Sequence, residues 1–396
     1  MLLYHRCIKG IKVIFYQKID SNNFLYNNQI VQKLPSGPRA TWFYDSTESG
    51  FYVEAIANAK VEDYLPFSME LRWLDSHKKM QAHKKALKVC RINNGDLCYM
   101  IPKDLIVEYY SLLNAATENY VKKNKINSFH AHLSSVASLL EKIKEQKINL
   151  DFRNVPTSIL ENSRNRKMIS KIENNPRHVS YDLKGSRTGR LTTRPNSIPI
   201  LTLKKELRGI IKPTNDIFAE FDFNAAEARV LLALGGNEQP TEDIHNWNIK
   251  HIFSGKGTRS EAKQRFFAWL YNPESTDRLL DEHYDKSRVL KDSYNGKQIE
   301  TVFKRKIESD DFHALNYLIQ STCADLVLEQ AVKLNNFLKG KNSRIAFIVH
   351  DSIVVDVNKK DLNMMTDMLS CFSETRLGRF KVNLSGGKDF GNMKTI

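Results

Sequence analysis

Three stretches of the chain alternate apolar and polar positions sharply enough to predict elements. In "RIAFIVHDSIVVDV", residues 344–357, two runs rich in β-branched residues flank a polar His350–Asp351–Ser352 step. That is the pattern of a hairpin with a mostly buried face. In "DIFAEFDFNAAEARVLLAL", residues 218–223 read as a strand and the run from Ala225 as a helix. Asn224 with Glu227 three residues later spells a capping box, which predicts the N-cap at Asn224. In "GTRSEAKQRFFAWLYNPE", Thr258 and Glu261 spell a second capping box and Pro273 ends the run, so a helix over 259–271 is expected.

Elsewhere the pattern is coarser. Residues 1–95 mix strand-like runs ("KVIFY", "FYVEAIA") with turn signals such as "LPSGP". From 102 to 150 the chain reads as helix studded with lysine. "NNPRHVS" through "RTGRLTTRPNSIPI" is irregular and rich in Arg, Gly and Pro, and beyond Phe218 strands and helices alternate to the end. The fold class expected is α+β.

Two acidic positions stand out against this pattern. Asp222 lies between Phe221 and Phe223 at the end of an apolar strand, and Asp351 lies near the hairpin tip. A carboxylate in such a place is costly unless a cation pairs with it. Two strand-borne carboxylates that converge can share divalent ions, and Mg²⁺ characteristically takes one or two carboxylates plus substrate phosphates. Along the third stretch, Arg259, Lys263, Phe267 and Tyr271 recur every four residues and form one slowly winding stripe. Its cations sit in the opening turns, where the helix dipole disfavours them, and an anion docked there would reverse that penalty. Phe267 and Tyr271 continue the stripe with flat apolar surface, so the whole reads as a site for phosphate plus ring: a nucleotide. Basic exposed start and ordinary aromatic core is the competing reading.

Composition agrees. Sixty Lys and Arg against 45 Asp and Glu leave a net charge of +15, which favours a polyanionic partner, nucleic acid ahead of a membrane surface. No apolar run approaches the roughly 18 residues of a membrane span. The N-terminal segment has basic residues throughout and no small-residue cleavage site, which argues against a secretory signal, while a mitochondrial presequence stays open. Five cysteines without a CxxC pair point to a reducing compartment and no zinc site.

The order "RTGRLTT…PN.IP", "LRGIIKP", "DFNAAEAR", "RSEAKQRFFAWLY", "NYLIQSTCADLV" and "VHDS" resembles the polymerase domain of family A DNA polymerases, the bacterial DNA polymerase I group. The resemblance runs from about Tyr181 to the C-terminus. It implies a right-hand architecture of palm, fingers and thumb, and template-directed addition of deoxynucleotides to a primer 3′-hydroxyl. It assigns Asp222 and Asp351 to two Mg²⁺ ions, with Mn²⁺ as a substitute. Arg259, Lys263 and His245 match contacts to the incoming triphosphate, and Glu227 matches the glutamate that excludes a 2′-hydroxyl. Phe267 matches the residue near base and sugar, where phenylalanine implies poor acceptance of dideoxynucleotides, and Tyr271 matches the tyrosine beside the templating base. Arg190, Arg229, Asn316, Gln320 and His350 match residues along the primer–template.

On the same resemblance, residues 1–100 form an N-terminal extension, 101–180 the thumb, 181–230 and 313–396 the palm, and 231–312 reduced fingers. Primer–template DNA and dNTPs are the implied partners. Departures are specific: Ser352 stands where the family usually has a glutamate after the hairpin aspartate, Asn272 replaces a glycine, and Phe312 stands where arginine is common. The exonuclease pattern Asp-x-Glu is missing from "YDSTES", which spaces Asp45 and Glu48 one residue too far apart, so no proofreading activity is expected of this chain; a separate exonuclease, or a processivity subunit, is a further expected partner. A lean enzyme of this kind fits a phage or plasmid in a bacterial cytoplasm, with a mitochondrion as the alternative. Ser352 also keeps a second class open, a catalytically silent relative that binds primer–template. A single-subunit RNA polymerase is disfavoured by Glu227.

Overall fold

The computed structural model describes residues 2–5, 14–20, 23–32, 61–90, 97–123, 128–153, 155, 157–174, 177–183, 185–272 and 274–396. The runs "FYVEAIA" and "LPSGP" and the "YDSTES" segment lie outside them. The chain divides into two compact units, residues 1–138 and 139–396. Among the described residues, no helix is long and apolar enough to cross a membrane.

The first unit carries an antiparallel sheet of Leu2–His5, Ile14–Lys18, Phe24–Tyr26 and Gln29–Val31, in sequential order. Asn27 and Asn28, both at positive φ, make the two-residue turn of its last hairpin, the conformation that asparagine tolerates best among non-glycine residues. Helices Phe67–Val89 and Lys103–Lys123 bring Trp73, Met80, Ile106 and Tyr110 into a core with Leu25. The first of these helices is not legible in the sequence pattern. Phe67 and Leu71 are exposed while Trp73 and Met80 are buried, so its apolar positions do not gather on one face.

The second unit is built on a five-stranded antiparallel sheet, and the elements that matter lie along it. They are strand β1 (Ile217–Phe223), helices α1 (Ala226–Leu234), α2 (Ile244–His251), α3 (Arg259–Tyr271) and α4 (Asp311–Phe337), strands β2 (Arg344–Val349) and β3 (Ser352–Val357), helix α5 (Met365–Ser373), and strands β4 (Val382–Gly387) and β5 (Lys394–Thr395). The strand order is β2-β3-β1-β4-β5. Every residue of β3 is buried, as expected for a strand covered on both faces, and α4 and α5 pack on each other and on the sheet. Mixed helix and strand make this an α+β chain, as the sequence predicts.

Strand parity decides where the acidic side chains go. Phe221 and Phe223 meet Phe372 of α5, with ring centroids 6.0 and 4.3 Å apart. Period two then turns Glu220 and Asp222 to the opposite face of β1. The β2–β3 hairpin closes with Val349 opposite Ser352, leaving His350 and Asp351 as its two-residue loop. His350 takes a positive φ there, of 53°. Tyr181 pins the hairpin from outside. Its buried hydroxyl donates to the Ile348 carbonyl at 2.6 Å and accepts from the Ile348 N–H at 2.8 Å.

Candidate functional site

The hairpin register brings the two sequence-selected aspartates together. Ser352 pairs directly with Asp222, so Asp351, one residue earlier, stands at the end of β1 where Asp222 projects. Both line a cavity of about 290 Å³ whose other walls include Glu227, His245, Arg259, Lys263 and Phe267. Burial, and then the charge of Asp351, push the Asp222 carboxyl up to about 7. Asn383 of β4, also in register with Asp222, donates to its carboxylate at 3.2 Å and partly offsets that push. A carboxylate pair so placed is short of positive charge, and its all-oxygen donor set with room for phosphates fits Mg²⁺ better than a soft metal. Among the described residues, no group of three or more His, Cys, Asp or Glu side chains is placed to hold a metal ion.

Helix α3 forms as its sequence dictates, from Arg259 to Tyr271, with both halves of the Thr258–Glu261 capping box made. Ala262, Phe266, Trp269 and Leu270 are buried, which leaves Arg259, Lys263 and Phe267 on the cavity wall, with Tyr271 one turn further along the stripe. Phe267 stacks on Tyr271 at 5.8 Å with an interplanar angle of 10°, and Lys263 Nζ lies 6.0 Å from the Phe267 ring centre. Arg259 is held in place by Asp243, whose carboxylate accepts from Arg259 Nη2 at 2.7 Å and from Asn224 Nδ2 at 2.7 Å. Asp243 also caps α2 by accepting the N–H groups of His245 and Asn246. Burial alone would raise its carboxyl, but the Arg259 guanidinium and these hydrogen bonds hold it well below the usual range. His245 is 1% exposed with neither ring nitrogen bonded, and burial pushes it down to about 4, so it faces the cavity as neutral imidazole.

A second cavity of about 300 Å³ shares Ala226, Glu227 and Asp351 with the first and adds Arg190, Cys323 and His350. Glu227 stands at the junction, accepting from Arg190 Nη2 on one oxygen and from the Tyr271 hydroxyl on the other. Arg190 is aimed by the turn before it. Gly189 has φ +77°, and a Cβ there would lie 2.4 Å from the Arg305 guanidinium. Arg305 in turn makes a two-pronged pair with Asp325 of α4, at 2.8 and 2.9 Å, where the aspartate is fully buried. Asp325→Ala is expected to destabilise the unit by about 3–5 kcal/mol in urea unfolding, because it takes a fully buried carboxylate from a half-buried guanidinium. A loss below about 1 kcal/mol would show that the pair is not what holds the turn.

Two sequence expectations change. The capping box at Asn224 does not form: Ala225, at φ 49°, is the N-cap and makes no side-chain cap. Asn224 is drawn instead into a buried polar knot with Asp243, Arg229 and the Ile244 N–H, while Glu227 turns to Arg190 and Tyr271. Arg229 does not reach the cleft. It is 0% exposed and donates to the carbonyls of Asn224, Pro240 and Glu242, so it fixes the loop before α2 rather than meeting a ligand. Asn316 and Gln320 lie on α4, two turns and one turn before Ala324, which lines the second cavity. Asp243, Asn383 and Cys323 are site residues that sequence reasoning missed. Asp243 carried a readable signal as an N-cap before "IHNW", whereas Asn383 arrives only through strand pairing.

No protein-family model matches the chain, and no curated protein matches it. A solved structure does: the POL domain of Pol1 from M. smegmatis, in complex with DNA primer-template and dNTP, is similar over 78% of this chain and 78% of that one, with a TM-score of 0.57 and 13% identity. The two share a fold. At that identity the likeness speaks for the polymerase-domain fold alone, and the chemistry rests on the residues described above.

Proposed function

We propose that this chain is a template-directed DNA polymerase that adds deoxynucleotides to a primer 3′-hydroxyl, with no proofreading exonuclease of its own. The observation that carries the reading is the convergence of Asp222 and Asp351 in one cavity beneath Arg259 and Lys263. Anionic ligands for divalent ions and cationic ligands for phosphates face the same space, which is the arrangement phosphoryl transfer requires. The POL domain of similar fold was solved with primer-template and dNTP, and the same two partners are proposed here. The +15 net charge supports a polyanionic partner independently.

In this reading the five-stranded sheet is the palm, residues 231–312 are the fingers, and 101–180 the thumb. Asp222 and Asp351 hold two Mg²⁺ ions, which supply a lowered pKa for the attacking hydroxyl and charge neutralisation for the leaving pyrophosphate. Arg259, Lys263 and neutral His245 bind and orient the triphosphate. Phe267 packs against the base and sugar, and Tyr271 stands by the templating base. Glu227, fixed between Arg190 and Tyr271, closes the space beside the sugar C2′. Arg190, His350, Asn316 and Gln320 line the primer–template minor groove or the primer end, and the minor groove's acceptors, common to every Watson–Crick pair, suit a copying enzyme.

The test is extension of a labelled primer on a DNA template with four dNTPs and Mg²⁺. Template-directed products support the reading; no extension with Mg²⁺ or Mn²⁺, with primer–template binding retained, supports the silent relative instead. Within that assay, Glu227→Ala is expected to raise ribonucleotide incorporation relative to deoxynucleotide by about tenfold or more, since a packed wall excluding one hydroxyl is worth about 1–3 kcal/mol. An unchanged ratio removes Glu227 from sugar selection.

A further inference from the structure

Beside the aspartate pair lies an acidic side chain that the mechanism has not used. Glu220 precedes Asp222 by two residues on β1, on the same face of the strand and about 7 Å along it. Its Oε1 accepts a hydrogen bond of 2.8 Å from the hydroxyl of Ser352, which is 3% exposed. Ser352 is next to Asp351 in sequence and opposite Asp222 in register. The serine therefore ties the carboxylate of Glu220 to the place where the two aspartates meet. Glu220 is only partly buried, so it has room to turn toward solvent, and the Ser352 hydroxyl holds it on the sheet. The charge of Glu220 acts on Asp222 in the same direction as that of Asp351. Glu220 is not among the residues that line the cavity shared by Asp222 and Asp351. That the cavity is built for a ligand is shown separately by His245, a buried imidazole on its wall with both nitrogens unbonded.

We propose that Glu220 is a positioning residue of the ion site: held by Ser352, it supplies a third negative charge that strengthens divalent-cation binding by Asp222 and Asp351 without touching the ion. This rests on the reading of the aspartate pair as the ion site. A serine at 352 and a glutamate at 220 are then one unit, in which the strand partner carries the charge and the hairpin carries the hydroxyl that fixes it. Two predictions separate this from a merely structural hydrogen bond. Glu220→Gln keeps an oxygen acceptor for Ser352 and loses only the charge. The double variant Glu220→Gln with Ser352→Glu returns a carboxylate to the same corner from the other strand.

Mn²⁺ binding to the full chain, followed by the loss of the free-ion electron paramagnetic resonance signal, reads the effect without turnover. Glu220→Gln is expected to weaken Mn²⁺ binding about fivefold, the order expected from removing one nearby negative charge under mostly aqueous screening. Ser352→Ala should weaken it less, and the double variant should recover most of the loss, with the melting temperature of Glu220→Gln unchanged. The half-saturating Mg²⁺ concentration for extension should move in parallel, with kcat at saturating Mg²⁺ within about twofold of wild type, as expected of a residue that acts on binding alone. Asp222→Ala is the control for the underlying reading and should abolish Mn²⁺ binding at this site. If Asp222→Ala abolishes it while Glu220→Gln leaves it unchanged, or the double variant fails to recover, this inference is overturned and the ion site stands. If Asp222→Ala binds Mn²⁺ like wild type, the underlying reading fails.

Discussion

Asp222→Ala is expected to lower the rate of primer extension at saturating Mg²⁺ by at least about 10³-fold, because ion-holding carboxylates contribute several kcal/mol to the transition state and each 1.4 kcal/mol is about a decade. Single-turnover extension measures it, and activity within about tenfold of wild type would contradict the assignment. Asp222→Asn separates chemistry from folding. Burial and the charge of Asp351 raise the Asp222 carboxyl to about 7, so the folded chain holds that proton more tightly than the unfolded chain does. At about pH 3 and below both states are protonated and the group is neutral to stability. Between about pH 4 and 7 the unfolded chain has released the proton that the folded chain keeps, so stability falls across that window and levels off above it. The amide carries no charge at any pH. In metal-free buffer Asp222→Asn should therefore match wild type near pH 3 and exceed it by about 1–2 kcal/mol at pH 8, a full shift of about 4 kcal/mol being reduced by partial solvent access. Urea unfolding at the two pH values gives the difference. A variant that is more stable and inactive marks a position held against stability for the sake of function.

The second large effect belongs to helix α3. Arg259→Ala and Lys263→Ala are each expected to lower kcat/KM for dNTP by about 10²-fold, mostly through KM, as for the loss of one preorganised donor to a phosphate. For Lys263→Ala the folding effect should go the other way or vanish, whereas Arg259→Ala also takes the cation from Asp243. Both cations lie in the first turns of the helix, where the dipole opposes them, and both are exposed. Steady-state kinetics with melting curves on the same samples test this. Unaltered KM with a lowered melting temperature would make the pair structural. The ion pair between Arg259 and Asp243 sharpens the point, because a triphosphate must share or displace Asp243 to engage the guanidinium.

How legible this was in the chain depends on the range of the interaction. Helix α3 could be bounded to the residue because its capping box is a local device that needs nothing beyond Thr258 and Glu261. The hairpin around Asp351 and the strand ending in Asp222 were readable for the same reason, since period two and β-branched runs are local. The box at Asn224 failed because a longer-range competitor won: Asp243 and Arg229, 19 and 5 residues away, take both ends of its amide. Arg229 shows the limit of matching a motif by position. Its place in "AAEARV" is right, yet its guanidinium serves three backbone carbonyls. Helix 67–89 was missed because its apolar side chains do not form a stripe. The role of Ser352 was invisible in one dimension. It reads as a missing charge in the sequence, and only the pairing of β1 with β3 reveals Glu220 against it.

The central claim is that two aspartates far apart in the chain close on shared divalent ions in front of a cationic helix. The most direct measurement is anomalous diffraction from crystals of the chain with primer–template, a non-hydrolysable dNTP and Mn²⁺. The account predicts manganese peaks bonded to carboxylate oxygens of both Asp222 and Asp351, with triphosphate oxygens in the same shells and Arg259 and Lys263 on the phosphates. A bound nucleotide whose manganese peaks lie away from these two carboxylates would contradict it.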